Sequence, residues 1–355
     1  MHLYRNFFGV FMGSKLQSEP LLRPSNGGLY CSKGDFYIDP KWPAVEQAVI
    51  THAHSDHARS GHGHYLAARP GVGLLARRIG TKEKTPPIRA IEYGEKHYFN
   101  DVKVSLHPAG HLLGSAQVRV EADGEVWVVT GDYKRGPDRT CADFEVVPCD
   151  VFITEATFAM PIYRWRPASE VVGEIYQWWE ANRAEGVTSV LFAYALGKAQ
   201  RVLAGLAAYT DRQVLLHGAM VDLTEIYRQE GVKMVPTEYA LDLPKGTDFS
   251  GELVLATPSA DGTAWMKRFR PYRTGFASGW MRVRGPRRRR GFDTGFVLSD
   301  HVDWDELLET IRETGAQRIL ATHGNTAILV RYLREELGLE CWDLMDAYKE
   351  GGPYG

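Results

Sequence analysis

The chain has 355 residues, which accommodates one large domain or two moderate ones. Its charged fraction of 24% and hydrophobic fraction of 44% are ordinary for a soluble globular protein, and its formal net charge of -2 excludes a global basic signal for nucleic acid. The 4 cysteines are scattered without a C-x-x-C pair, which argues against a disulfide framework and a zinc ribbon.

Scattered cysteines without such pairs are typical of proteins in a reducing compartment, so we expect a cytoplasmic protein. The apolar run at residues 7–13 is interrupted by glycine and lacks a small-residue cleavage site, so it does not read as a signal peptide. No apolar run approaches the length of a membrane span. We therefore expect no membrane partner.

The first 160 residues predict a β-rich unit in which strands end in polar residues and loops. Alternating apolar residues bounded by turn residues predict strands at residues 28–31, 36–39, 102–106, 118–120, 126–129 and 151–154. One helix is predicted near residues 72–80. A layered β fold of this kind presents its site residues from strand ends.

Beyond residue 160 the pattern alternates between strands and helices, which indicates a small parallel α/β unit. The predicted helices are 169–184, 197–209 and 222–229, and the predicted strands are 187–194, 214–217 and 253–256. A strand at 295–299, a helix at 304–314, a strand at 318–321 and a helix at 327–337 follow. We therefore predict that residues 161–290 are inserted between two parts of one β-rich domain, 1–160 and 291–355.

Residues 52–57 concentrate more metal-binding chemistry than any other short stretch. They follow the apolar run at 48–50 and read H-x-H-x-D-H, with His52, His54, Asp56 and His57 as candidate ligands. Imidazole nitrogen suits zinc, and carboxylate oxygen also suits manganese or magnesium. A strand that feeds a tight loop would aim the first two histidines at one ion and the last two residues at a second position.

Further candidates follow predicted strands along the chain, and two ions at close range need about six to eight ligands with a bridging carboxylate among them. The additional candidates at strand ends are Asp39, His111, Asp132, Glu155, His301 and His323. Their number is sufficient for a two-metal centre.

The order of these motifs resembles that of the metallo-β-lactamase superfamily, and specifically its β-CASP nuclease branch. H-x-H-x-D-H is followed by Gly110-His111 and Gly131-Asp132, and later by Asp300-His301 and His323-Gly324. Within that branch the chain is similar to bacterial DNA-ligase-associated nucleases related to mRNA 3′-processing exonucleases. The resemblance implies an α/β fold, a metallo-β-lactamase αββα sandwich with an inserted β-CASP domain.

The resemblance also implies residue roles. His52, His54 and His111 would hold a first metal, and Asp132 would bridge. Asp56, His57 and His323 would hold a second metal. Asp39 would orient ligand imidazoles from outside the ligand set. Glu155 and His301 match two β-CASP motifs near the scissile phosphate. His323 is shared with the RNA-processing branch, whereas eukaryotic DNA-processing members usually have valine there.

The expected chemistry is phosphodiester hydrolysis with two Zn²⁺ and/or Mn²⁺ ions. A metal-activated hydroxide would attack phosphorus, with Asp56 in the catalytic set. His301 is the candidate general acid and Glu155 would position it. The expected products carry a 5′-phosphate and a 3′-hydroxyl.

A local basic segment provides the nucleic-acid signal. Residues 267–290 hold ten lysines or arginines and no acidic residue, with aromatic residues interleaved. Arginines neutralise phosphates and aromatic faces stack unpaired bases. The candidate contacts are Lys198, Arg282, Arg284, Arg287, Arg288, Arg289 and Arg290. The arginine run can also be a solvated surface.

The resemblance implies DNA, preferentially single-stranded, as the substrate in a repair setting, with a DNA ligase and a helicase as partners. An RNA-processing ribonuclease is the alternative, supported by His323. A small-ester or thioester hydrolase is disfavoured by the insert and the basic segment. A non-enzymatic scaffold is disfavoured because the ligand set is complete. The choice between endonuclease and exonuclease stays open.

Overall fold

Two β-sheets lie face to face, and the apolar side chains between them form the main core. The structure, a computed structural model, describes residues 19–25, 28–42, 44–81, 85–283 and 291–355. The first sheet has the order β1-β2-β3-β4-β5-β6, formed by Arg23–Ser25, Gly28–Cys31, Phe36–Ile38, Gln47–Val49, His64–Ala68 and Ile88–Ile91. The second has the order β19-β18-β11-β10-β9-β8-β7, formed in chain order by Lys96–Phe99, Val102–Pro108, Ala116–Ala122, Glu125–Val129, Val151–Ala156, Arg318–Gly324 and Glu340–Asp343.

The strands follow from the burial of their side chains. In β3 the outer residues Phe36 and Ile38 are buried and the middle one is not, as expected when one face packs on the core. All six residues of β11 are buried, because this central strand is covered on both faces. Its neighbours β10 and β18 both run parallel to it.

Helices cover the outer faces of the sandwich. Helix α1, Val72–Ile79, packs through Leu75 and Ile79 on the first sheet. Helices α5, Trp304–Thr314, and α6, Thr326–Glu335, pack on the second sheet. This arrangement is an αββα sandwich, which confirms the predicted fold class. Helix α5 also has the predicted bounds.

A third sheet forms the inserted unit, and all of its strands are parallel. Its order is β14-β13-β15-β12-β16-β17, formed in chain order by Thr188–Phe192, Val214–Leu216, Thr237–Tyr239, Leu253–Ala256, Tyr272–Ala277 and Thr294–Phe296. Helices α2, Ala168–Ala184, and α3, Lys198–Leu206, pack on one face, and α4, Gly218–Gln229, joins them through Met220. The predicted parallel α/β insertion is confirmed.

Several elements differ from the sequence analysis, among them strands β6, β7 and β14, which it does not predict. Strand β17 pairs with β16, so the sheet of the insert extends beyond residue 290, where the prediction ended it. Strand β19 was not predicted, because Cys341 is its only buried residue and no alternation is visible. No helix in the described ranges is both long and apolar enough to cross a bilayer.

Asp303 fixes the start of α5. Its side chain accepts a hydrogen bond from the Glu306 N–H at 2.9 Å and another from the Trp165 N–H at 2.9 Å. The first bond caps the helix, and the second ties the segment that enters the insert to the sandwich. Asp303 is buried, so neither N–H would gain water in its place.

Asp303→Ala is expected to lower the free energy of unfolding by about 1–2 kcal/mol, the usual cost of a lost N-cap. The matched control is Asp305→Ala, which removes an exposed ion pair with Arg164 and is expected to cost less than about 1 kcal/mol. The midpoint of urea unfolding, compared for both variants, checks this. Equal midpoints would contradict the capping role.

Candidate metal centre

Loops at one edge of the sandwich carry the candidate ligands. In the first sheet β3 and β4 run parallel; Asp39 follows β3 and residues 52–57 follow β4. In the second sheet β8, β10, β11 and β18 run in one direction, so their carboxyl ends share an edge. The side chains at these ends are His111, Asp132, Glu155 and His323.

Four side chains form the first group of ligands, with their ligand atoms within 4.8 Å of one another. His54 Nδ1 lies 3.1 Å from His52 Nε2 and 3.2 Å from His111 Nε2. Asp132 Oδ2 lies 3.4 Å from His52 Nε2 and 3.7 Å from His111 Nε2. A tetrahedral zinc site with bonds of about 2.0–2.1 Å separates its ligand atoms by about 3.3 Å. The group therefore fits a tetrahedral metal ion.

A second position adjoins the first across Asp132. His57 Nε2 lies 3.6 Å from Asp132 Oδ1 and 3.8 Å from Asp56 Oδ2. This buried nitrogen has no hydrogen-bond partner among the described residues, although a buried polar atom normally has one. The two oxygens of Asp132 thus face different groups of ligands, which is the arrangement of a carboxylate that bridges two ions.

Asp39 and Thr51 orient two of the imidazoles. His57 Nδ1 donates to Asp39 Oδ2 at 2.7 Å, and His52 Nδ1 lies 3.1 Å from Thr51 Oγ1. Thr51 itself donates to both oxygens of Asp39, through its N–H at 2.8 Å and its hydroxyl at 2.5 Å. These contacts leave the Nε2 atoms of His52 and His57 facing the centre.

The other two imidazoles are oriented from the insert side. His54 Nε2 donates to the Leu196 carbonyl at 3.2 Å, which leaves Nδ1 for the first group. His111 Nδ1 donates to the Asp300 carbonyl at 2.7 Å. Leu196 lies two residues before α3, and Asp300 follows β17. The insert therefore helps to hold two ligands of the first group.

The pKa values of the histidines differ with their surroundings. Burial, and then the nearby His52, lowers the pKa of His54 to about 4, so its imidazole is neutral and can ligate a metal at neutral pH. Burial also lowers the pKa of His57, but the charges of Asp132 and Asp39 outweigh it and raise the pKa to about 9. Carboxylates that stabilise this imidazolium would equally attract a metal cation in place of the proton.

His301 and Glu155 form a pair beside this centre. His301 Nδ1 lies 2.8 Å from Glu155 Oε2, and the Tyr133 N–H donates to Glu155 Oε1 at 2.7 Å. Burial lowers the pKa of His301, but Glu155 and then Asp132 outweigh it and raise the pKa to about 9. Asp132, Glu155 and His301 are also close enough to form a three-residue ligand group of their own.

His323 reaches the centre through an irregularity at the end of β18. The pairing of β11 with β18 shifts between Glu155 and Ala156, so Ala156 pairs with Gly324 and His323 is left over. His323 has φ of 53°, and its ring lies 5.4 Å from that of His57. A Cβ on Gly324 would lie 2.2 Å from the Ala156 carbonyl oxygen, so this close approach requires glycine.

Lys198, predicted as a phosphate contact, lines the cleft, but its ammonium is buried and paired within the protein. Its Nζ is buried, 2.5 Å from Asp300 Oδ2 and 3.1 Å from the Leu298 carbonyl. Arg201 also contacts Asp300, at 2.5 Å, and forms a second ion pair with Asp138. The sequence pattern could not reveal a partner 102 residues away.

Two basic residues of the segment 267–290 lie away from the cleft. Arg268 and Arg273 lie before or early in β16, at the opposite end of that strand from the cleft, where Arg268 donates to a carbonyl and Arg273 pairs with Glu185. Arg282 is exposed and donates to the Ile162 carbonyl at 3.1 Å. The remaining predicted contacts lie outside the described residues; they are Arg284, Arg287, Arg288, Arg289 and Arg290.

An open cleft of about 740 Å³ separates the sandwich from the insert and exposes the centre. Sequence reasoning missed two residues on its wall, Arg77 and Arg78, in the last turn of α1. Arg77 pairs with Asp222 of the insert at 3.0 Å, and Arg78 donates to the Ala53 carbonyl. The sequence feature that could have identified them is the pair of adjacent arginines on the short helix that follows the metal loop.

Comparisons with known proteins agree with this architecture, although no profile of a protein family matches the chain. A probable DNA ligase from Opitutus terrae is 31% identical over 318 residues, 89% of this chain and 30% of the ligase. An RNase J-like protein from Methanocaldococcus jannaschii is 26% identical over 217 residues, 54% of this chain and 51% of that protein. The chain thus spans 30% of the length of the first relative and about half that of the second.

A solved structure shows the same fold. The crystal structure of a protein of unknown function from Enterococcus faecalis matches with a TM-score of 0.54 at 11% identity, over 78% of this chain and 75% of that chain. The ordered histidine and aspartate motifs, the αββα sandwich with its parallel insertion, and these relatives lead to one conclusion. The chain belongs to the metallo-β-lactamase superfamily, in its β-CASP nuclease branch.

Proposed function

We propose that this chain is a nuclease that hydrolyses phosphodiester bonds of single-stranded DNA with two divalent metal ions. The observation that carries this proposal is the carboxylate of Asp132, whose two oxygens face separate groups of ligands at the base of an open cleft. A phosphodiester is anionic and resists attack by neutral water. Divalent ions, when bound, supply the Lewis acidity that activates water and neutralises the phosphate.

The protein's own residues would supply the proton and the orientation. Glu155 accepts from Nδ1 of His301, which leaves Nε2 as the ring atom that can face the leaving group. The charge of Glu155 outweighs the effect of burial and raises the pKa of His301, which favours the protonated imidazole. His301 then protonates the departing 3′-oxygen, and the products carry a 5′-phosphate and a 3′-hydroxyl.

The metal set follows from the ligands. His52, His54 and His111 form a nitrogen-rich first group, which favours zinc, whereas the position beside Asp56 and Asp132 is richer in oxygen and also suits manganese. The proposed cofactors are therefore two ions, Zn²⁺ and/or Mn²⁺. Asp56 belongs to the proposed catalytic set as a ligand of the second position.

The relatives support the choice of substrate only in part. Similarity to a probable DNA ligase supports a role in DNA repair with a ligase as partner. The helicase stays a prediction from the family resemblance. Similarity to an RNase J-like protein, together with His323, supports RNA as the alternative substrate. All 4 cysteines are free, in keeping with the proposed cytoplasmic location.

The direct test compares end-labelled single-stranded DNA and RNA of one sequence, with zinc or manganese, for the wild type and for Asp56→Ala combined with His57→Ala. We expect DNA to be cut faster, and the double variant to lose the activity because the second position loses two ligands. Faster RNA cutting would move the proposal to RNA processing. Cutting of neither substrate by metal-loaded wild type would refute it, and the product ladder separates endonuclease from exonuclease.

The pH dependence of cleavage tests the role of His301. Because the protonated imidazole acts, the rate should fall as pH rises through the pKa of His301, which the charge of Glu155 raises against the effect of burial. Glu155→Gln removes the strongest stabilising charge, so the alkaline limb should move to lower pH. His301→Ala should reduce the rate about 10²- to 10⁴-fold and abolish this limb. Undiminished cleavage by a His301→Ala protein with normal metal content would remove His301 from the mechanism.

Arg77 is an exposed arginine on the cleft wall, and we expect it to contact a phosphate of the bound strand. Arg77→Ala should weaken single-stranded DNA binding and reduce the slope of log affinity against log salt by about 0.7. Arg331→Ala, which removes an exposed arginine outside the cleft, is the matched control and should leave the slope unchanged. Fluorescence anisotropy at several salt concentrations gives both slopes, and identical slopes would exclude the contact.

A further inference from the structure

Trp280 on the cleft wall is more exposed than the aromatic side chains that pack against it. Trp280 is 36% exposed, whereas its neighbours Phe158 and Tyr163 are 4% and 6% exposed. It follows the carboxyl end of β16, in a short 3-10 helix that begins at Gly279. The insert therefore presents a flat apolar ring to the same cleft that exposes the metal centre.

Phe158 joins Trp280 to the reaction centre. The Phe158 ring lies 4.7 Å from the Trp280 ring and 5.7 Å from the His301 ring. A Cβ on Gly279 would lie 2.8 Å from Phe158, so the absence of a side chain there permits the close packing. Phe158 thus supports the Trp280 ring and connects it to the His301 ring.

The surroundings of Trp280 match the chemistry of a single nucleic-acid strand. Arg282 is exposed two residues further along the chain, and Arg77 stands on the cleft wall. Tyr194 also lines the cleft and is 42% exposed; it follows β12, the strand paired with β16. Positive charges with exposed aromatic faces are the features that bind phosphates and stack unpaired bases. Aromatic residues that only packed in a core would be neither exposed nor accompanied by positive charges.

We propose that Trp280, supported by Phe158, stacks on an unpaired nucleobase close to the scissile phosphate. The ligand class is a base of single-stranded DNA or RNA, and this inference rests on the proposed nuclease function of the site. A base in a duplex is already stacked on both faces, so this contact would select unpaired strands. Every base has an aromatic face, so the contact would be tolerant of sequence.

The test compares Trp280→Ala, Trp280→Phe and wild type, all carrying Asp56→Asn to suppress cleavage. Binding is measured to oligothymidylate, to oligouridylate, and to an abasic oligonucleotide of equal length that keeps the sugar-phosphate backbone. Trp280→Ala should weaken binding of the base-bearing strand about 5- to 150-fold. Trp280→Phe should restore most of it, and all three proteins should bind the abasic strand alike.

Tyr98→Ala is the matched control, since it removes an exposed ring from β7 outside the cleft and should change nothing. Equal loss on the abasic strand would reveal a structural effect and overturn the proposal, as would wild-type binding by Trp280→Ala. A defect confined to thymidylate or to uridylate would identify the nucleic acid whose base stacks. Cleavage is measured in a separate experiment on the protein with native Asp56. If that protein cuts neither nucleic acid, the nuclease function fails, and the binding comparison still decides whether Trp280 stacks on a base.

Discussion

The carboxylate of Asp132 is the constraint on which the centre depends. It is buried among the imidazoles of His52, His57 and His111, whose nitrogens point at its two oxygens from different sides. Lone pairs gathered in a buried space repel one another unless a cation lies between them. The buried Nε2 of His57 has no hydrogen-bond partner among the described residues, which also indicates a place for a cation. Strands of both sheets end at this edge, so the loops that follow them bring the members of the set together.

The insert is part of the centre as well as a wall of the cleft. The Leu196 carbonyl orients His54, and the Asp300 carbonyl orients His111. The carboxylate of Asp300 is in turn held by Lys198 and Arg201 of the insert, and those two charges hold its pKa well below its usual range despite its burial. Loss of Lys198 or Arg201 would leave the buried charge of Asp300 without compensation. Because the Asp300 carbonyl also orients His111, the position of the insert and the geometry of the candidate ligands are linked.

Much of the fold and the ligand set could be predicted because both depend on local patterns. Strands that end in histidine or aspartate predicted the shared edge, and the periodicity of α5 predicted its bounds. What could not be predicted depends on distant contacts. Lys198 carries the signal of a phosphate-binding helix start, but its partner Asp300 comes from another strand end. His323 reaches the centre through a shifted strand register, and Arg77 through the packing of α1 beside the insert.

Anomalous diffraction from crystals grown with zinc or manganese would test the central claim most directly. We expect two peaks, one on each side of Asp132: one among His52, His54 and His111 and the other beside His57. Among the described residues, a competing position is the group formed by Asp132, Glu155 and His301. A second peak there would make His301 a ligand in place of an acid. A single peak, or a peak that does not adjoin Asp132, would contradict the shared carboxylate on which the account depends.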